Sequence, residues 1–240
     1  MKKEFIRKWF ILGVLFLLPV IFLLFLYPST HNYEPLDIVK TNVNDIDGFD
    51  FLDSEKKLLK DNITILSFLG NDPMNNITTV LNLKELIYDK FKGFKNFQIL
   101  SLATSGSKEN LEKVRSELYK SDELKYWKFV TGSTEQIKML YNSLLSKNEL
   151  DSTLSSSQVF IIDKLNNQRG RIDDRSDDEV EENVQLYGLY SYNCIKVSEM
   201  KNKMSDDIRI LFTEYRQKRK GKFDSNNRRI KNLENLETKK

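Results

Sequence analysis

The chain has 240 residues, 40% of them apolar and 30% charged, so it can hold one membrane span and one globular domain but is neither a multi-span membrane protein nor a wholly disordered chain. A single cysteine, Cys194, and a single histidine, His31, exclude an internal disulfide, a Cys-x-x-Cys redox pair and a zinc site of three or four nitrogen or sulfur ligands. The net charge of +3 is the balance of an acidic body, −7 over residues 9–215, and basic ends of +3 (residues 1–8) and +7 (residues 216–240), a distribution that argues against nucleic acid as a partner.

From Trp9 to Tyr27 no residue is charged. Nineteen residues make about 28 Å of helix, matching a hydrocarbon core of about 30 Å, and Trp9 and Tyr27 bracket the run as interfacial aromatics do. Gly13 and Pro19 are tolerated in such a helix. A cleaved signal peptide needs a shorter apolar core and a small-x-small site, and Leu26-Tyr27-Pro28 supplies no such site. No cysteine follows for lipid attachment. The spacing therefore predicts a basic cytoplasmic flank, 1–8, and an uncleaved transmembrane anchor, 9–27. Lys2, Lys3, Arg7 and Lys8 precede the run, and Glu34, Asp37, Asp45 and Asp47 against Lys40 follow it. By the positive-inside rule the start of the chain is cytoplasmic and residues 28–240 face the far side of an inner membrane, in a periplasm or its equivalent.

Residues 28–44 contain Pro28, Pro35 and several Asn and Asp, and read as a tether. Residues 45–220 read as one α/β domain. Phe49 and Phe51 suggest a short strand, and Ile63–Leu69 is a buried-type strand ended by Gly70-Asn71-Asp72-Pro73. Ile77, Val80, Leu81, Lys84, Ile87 and Phe91 follow helical spacing. Phe97–Ala103 is a second strand, and Leu111, Val114 and Leu118 mark a second helix. Phe129-Val130 is a third strand before a helix through Ile137, Leu140 and Leu144. Val159–Ile162 and Gln168–Ile172 form a hairpin turning at Asp163–Asn167. Met200, Met204, Ile208, Leu211, Phe212 and Tyr215 share one face of a final long helix, and core packing explains the two methionines. The order predicts a mixed central sheet with parallel crossovers first and an antiparallel pair after them, flanked by helices. That is thioredoxin-like order.

The anchor, the strand ending in an Asp-Pro loop, Trp127-Lys-Phe-Val-Thr-Gly132, and Val159-Phe-Ile-Ile-Asp-Lys164 followed by Arg169-Gly-Arg171 together resemble the Sco/SenC family. These are membrane-anchored thioredoxin-fold proteins implicated in copper delivery to cytochrome oxidase. The resemblance spans about residues 60–220. It implies a Cys-Pro-x-x-x-Cys-Pro-type loop after the first core strand and a His just before the hairpin. On this chain those ligands fall at Asp72, beside Pro73, at Asn76 and at about Ser155, so every one is replaced. A carboxylate, an amide and a hydroxyl are poor ligands for a soft metal, and thiol–disulfide exchange needs a thiolate.

The expectation is a non-catalytic Sco-like domain with no cofactor and no metal or catalytic residues. It would assist assembly or scaffolding of a respiratory or envelope membrane complex, with Asp72, Pro73, Met74, Asn76 and Ser155 forming a degenerate site and docking surface. The alternative is copper handling through unconventional ligands such as Met74 and Cys194. Asp72 or Asn75 would cap the following helix, Cys194 would be a small packed residue, and His31 would lie in the tether. Asp173–Glu182 reads as a solvated acidic insertion without the oxygen spacing of a calcium loop. The tail, 221–240 with the basic run from Arg216, would fray or touch anionic lipid. Asn62-Ile-Thr64 and Asn76-Ile-Thr78 match the N-glycosylation pattern.

Overall fold

The computed structural model describes residues 2–26, 35–53, 55–120 and 123–221. His31 and the tail beyond Gly221 lie outside the described residues, as does Tyr27. The chain divides into two units, Met1–Glu34 and Pro35–Lys240.

The first unit is helix α1, Lys2–Leu26, with Pro19 inside it. Its segment Arg7–Leu24 has a mean hydropathy of 2.1 and is apolar and long enough to cross a membrane. An isolated helix with apolar side chains on all sides has no water-compatible face.

The second unit is built on strands β1 (Asp37–Lys40), β2 (Asp50–Phe51), β3 (Ile63–Gly70), β4 (Phe97–Thr104), β5 (Trp127–Gly132), β6 (Ser155–Ile162), β7 (Gln168–Gly170) and β8 (Tyr192–Asn193). They form one mixed sheet in the order β1-β7-β6-β3-β4-β5-β2, with β8 also paired to β6. β3, β4 and β5 are parallel, whereas β6 runs antiparallel to β3. A single 3₁₀ turn, Pro73–Asn76, opens α2 (Ile77–Leu83), which widens at Lys84–Tyr88 and ends in α3 (Asp89–Phe91). After β4 comes α4 (Lys108–Tyr119), after β5 comes α5 (Thr134–Asn142), and α6 (Asp177–Glu181) precedes the closing α7 (Ser205–Arg219). Crossovers carrying helices join the parallel strands, as a parallel pair requires.

Alternation along the central strands builds two cores. Ile63, Ile65 and Leu69 of β3 join Phe97 and Ile99 of β4, Trp127 and Phe129 of β5, and the buried sides of α2, α4 and α7. Leu66 and Phe68 turn the other way, against Leu100, Leu102, Val130, Phe160 and helix α5. Both faces are covered, which is why every residue of β3 and β4 is buried. Ser67 and Ser101 sit opposite each other inside the first core, their hydroxyls 2.8 Å apart, and Trp127 Nε1 donates to Ser101 at 3.0 Å. These three side chains thus satisfy one another.

The structure departs from the sequence expectations in three places. The last part of the expected tether is strand β1, paired antiparallel to β7, and Leu36 and Val43 are buried. Its alternation of half-buried and exposed residues is that of an edge strand, which prolines nearby disguise. β6 starts at Ser155 rather than Val159, because Ser156 and Gln158 are buried despite their polarity. The acidic insertion is not uniformly solvated. The Asp174 side chain, 4% exposed, is held between Arg171 and Lys203, and Ser176 and Glu179 form a capping box on α6.

Arg169 of β7 locks the outer layer. It is 3% exposed and bonds Asp163 at 3.1 Å, Glu214 of α7 at 2.5 Å and the carbonyl of Leu36 at 2.8 Å. One guanidinium thus ties the entering chain, the hairpin and the last helix together. Arg169→Leu removes the cation that the buried Asp163 and Glu214 share, leaving Glu214 only Lys218, and denaturant unfolding should show a loss of about 3–5 kcal/mol. A loss below about 1 kcal/mol would contradict this role.

Candidate functional site

β3 ends at Gly70, whose φ is +65° and whose α-carbon faces the backbone of residues 153–155. A Cβ there would stand 2.2 Å from the Thr153 carbonyl oxygen, so only glycine fits. The amide of Asn71 donates to that same carbonyl at 2.7 Å. Ser107, in the 3₁₀ turn after β4, donates to the carbonyl of Asn71 and lies 2.8 Å from Thr104 Oγ1. Three loops, 70–76, 104–107 and 151–155, therefore meet at the carboxyl end of the parallel strands, where ligands bind in open α/β sheets.

The residues expected from the resemblance to form a degenerate site converge at this junction. Leu69 pairs with Ser155 across β3 and β6, and Asn76 Nδ2 donates to the Leu69 carbonyl at 3.1 Å. Pro73 is buried at the first turn and Met74 is exposed. Asp72 and Asn75 do not cap the helix backbone as expected. The Asp72 carboxylate instead accepts from Asn75 Nδ2 at 2.8 Å, and the Asn75 amide donates to the Asp72 carbonyl at 3.2 Å.

Sequence reasoning passed over Asp151. Its carboxylate accepts from the amide and hydroxyl of Thr153 at 2.8 and 2.7 Å, and from the amide and hydroxyl of Ser155 at 2.8 and 2.8 Å. Partial burial works to raise its pKa, but the bonds from Thr153 and Ser155 outweigh it and hold the carboxyl below its ordinary value. The Asp-x-Thr spacing is the sequence signal for such a turn.

The other candidates stand apart from the junction. Cys194 is fully buried, and burial, followed by the charge of Glu199, pushes its thiol pKa up. Its carbonyl accepts from Asn82 Nδ2 at 2.8 Å. Met200 and Met204 are core residues. Asn62 Nδ2 donates to the carbonyls of Leu58 and Lys60, so its side chain, like that of Asn76, is held by the fold. A cleft of about 330 Å³ lies between Asn44–Phe49 and Gln136–Leu140. Its Asp45 is committed to the amides of Ile46, Leu59 and Lys60.

The donor set at the junction does not fit a soft metal. It offers an amide bound to a carbonyl, a hydroxyl bound to a carboxylate, and one exposed thioether. Among the described residues no three His, Cys, Asp or Glu side chains are grouped in metal-binding geometry.

No family model matches the chain, and no curated protein does. Among solved structures it is similar to BsSco, a member of the Sco family of cytochrome c oxidase assembly proteins. That match has 14% identity and a TM-score of 0.50, and covers 74% of this chain and 98% of that one. Other matches include apo Sco1 from Thermus thermophilus (12% identity, TM-score 0.42, 77% and 99% covered) and copper-bound ScoI from Bradyrhizobium japonicum (10%, 0.41, 68% and 95%). The domain has the thioredoxin-like fold seen in BsSco.

Because folding lowers the Asp151 pKa, its contribution to stability is present above the unfolded value of about 3.9 and is lost as pH falls through the folded value. Asp151→Asn should therefore flatten the loss of stability between pH 5 and 3, roughly the carboxylate range. Unfolding midpoints that fall in parallel for both proteins would contradict this.

Proposed function

We propose that this chain is a divergent, non-catalytic Sco-like protein of a bacterial-type inner membrane, its domain on the far side of the bilayer from its basic start. It assists assembly of a respiratory or envelope membrane complex, cytochrome oxidase foremost, by protein contact. The observation that carries this reading is the use made of the three positions where the resembled family places its ligands. Asn76 ties the end of β3, Ser155 ties the turn at Asp151, and Asp72 holds Asn75. Residues committed to internal bonds serve shape. Around them Asn71, Met74, Asn75 and Thr153 remain exposed, a polar face with one flexible thioether. Such surfaces suit protein recognition, since methionine adapts to a partner's contour.

The alternative, copper handling through Met74 and Cys194, requires a thiolate that reaches the surface. The buried Cys194, with its raised pKa, does not favour it.

The test is recovery of a membrane-complex subunit with the full chain after mild solubilisation, comparing wild type with the Asp72→Arg, Met74→Glu double variant. Both side chains lie at the surface of the loop, and the double variant should lower recovery roughly tenfold, as loss of a contact hot spot does. A chain that stays alone, or a partner retained equally by the variant, contradicts the reading.

A further inference from the structure

The opposite pole of the domain has a different chemistry. There the starts of β3 and β4, the β6–β7 turn and the end of α7 come together. The Asp61 amide donates to the Lys164 carbonyl at 3.0 Å, and Asn96 Nδ2 donates to the Asp61 carbonyl at 3.2 Å. Lys164 and Lys218 stand over the Tyr215 ring at 5.2 and 5.3 Å from its centre. Lys95 and Arg219 lie close enough to Lys164 for their charges to act on it, and Lys60 adjoins Asp61 in the same loop. Among the described residues none of the four forms an ion pair, whereas Lys84, Lys92, Lys128 and Lys218 do. Burial, then the charges of Arg219 and Lys95, hold the Lys164 ammonium below the ordinary lysine range, against the pull of Asp61. Like charges crowded this way lower their energy when an external anion joins them.

The second observation is apolar. Leu165, at the tip of the same turn, is 70% exposed, and Leu58, in the loop before β3, is 39% exposed. A leucine projecting among lysines is unfavourable in water and matches a surface with charged headgroups over hydrocarbon. The third is covalent. Only eight residues separate Leu26 of the apolar helix from Pro35 of the domain, a reach of at most about 28 Å, so a bilayer is held at high effective concentration.

We propose that this pole is a contact surface for an anionic phospholipid bilayer. Lys60, Lys95, Lys164 and Arg219 meet headgroup phosphates, and Leu165 enters the interface. The eight residues of β3 lie between this pole and the loop junction, about 26 Å at the usual rise. Lipid contact at one pole therefore presents Asp72 and Met74 away from the membrane. The inference rests on α1 being a membrane span and not on kinship with any family.

The test uses the full chain in vesicles of phosphatidylcholine with or without one part in three of phosphatidylglycerol. Resistance to alkaline carbonate extraction reports the span independently. An environment-sensitive fluorophore is placed at Leu165→Cys, or at Ser152→Cys on the opposite pole; the buried Cys194 does not compete for label. Shallow spin-labelled lipid should quench position 165 at least threefold more than position 152, and only in anionic vesicles. Each of Lys95→Gln, Lys164→Gln and Arg219→Gln should lower the bound-to-free ratio about fivefold, and 0.5 M salt should abolish the difference, a Debye length then being about 4 Å. Equal quenching at both positions, quenching indifferent to lipid charge, or shielding of position 165 only by an added polyaspartate peptide would each overturn the proposal.

Discussion

Gly70 meets the backbone of residues 153–155 so closely that no side chain fits between them, and its positive φ turns the chain there without strain. The candidate site depends on that contact. Through it the strand that carries the loop 71–76 is fixed against the turn that starts β6, and the Asn71 amide and Ser107 hydroxyl can then complete a bonded seam between three loops. Packing on both faces of β3 makes the strand rigid, so the seam is held by the core and not by its own few polar bonds.

At this seam a soft-metal site and a structural joint make opposite demands. Ligands must keep lone pairs free and tolerate exchange; joint residues spend theirs on fixed neighbours. Asn76, Ser155 and Asp151 are of the second kind. What is left outward is the surface of the joint. If the far pole meets lipid, that surface is presented to whatever lies beyond the bilayer, which fits a protein that acts by holding and positioning.

The strands whose burial is apolar were legible in the sequence, since Ile63–Leu69 and Phe97–Ala103 are continuous buried-type runs that match β3 and β4 to within a residue. Legibility failed where burial is polar or one-sided. Ser155 to Gln158 looks like a loop because a strand that buries polar side chains carries no hydrophobic period. Asp37–Lys40 looks like tether because its edge pairing is supplied by β7, 130 residues away. The convergence of Asp72, Asn76 and Ser155 came from family likeness, and the structure brings them together through the Leu69–Ser155 register. The roles of Asp151, Arg169 and the lysine pole depend on three-dimensional neighbours, and a chain read in order shows only their residue types.

The proposal is that Asp72, Asn76 and Ser155, where the resembled family places its ligands, serve here as joints. Titration of the full chain with cuprous ion against a competing chelator tests it most directly, beside an Asp72→Cys, Asn76→Cys, Ser155→His variant. The prediction is that the native chain releases copper to the chelator while the triple variant retains one ion. A native chain that retains one cuprous ion per molecule against the same chelator contradicts it.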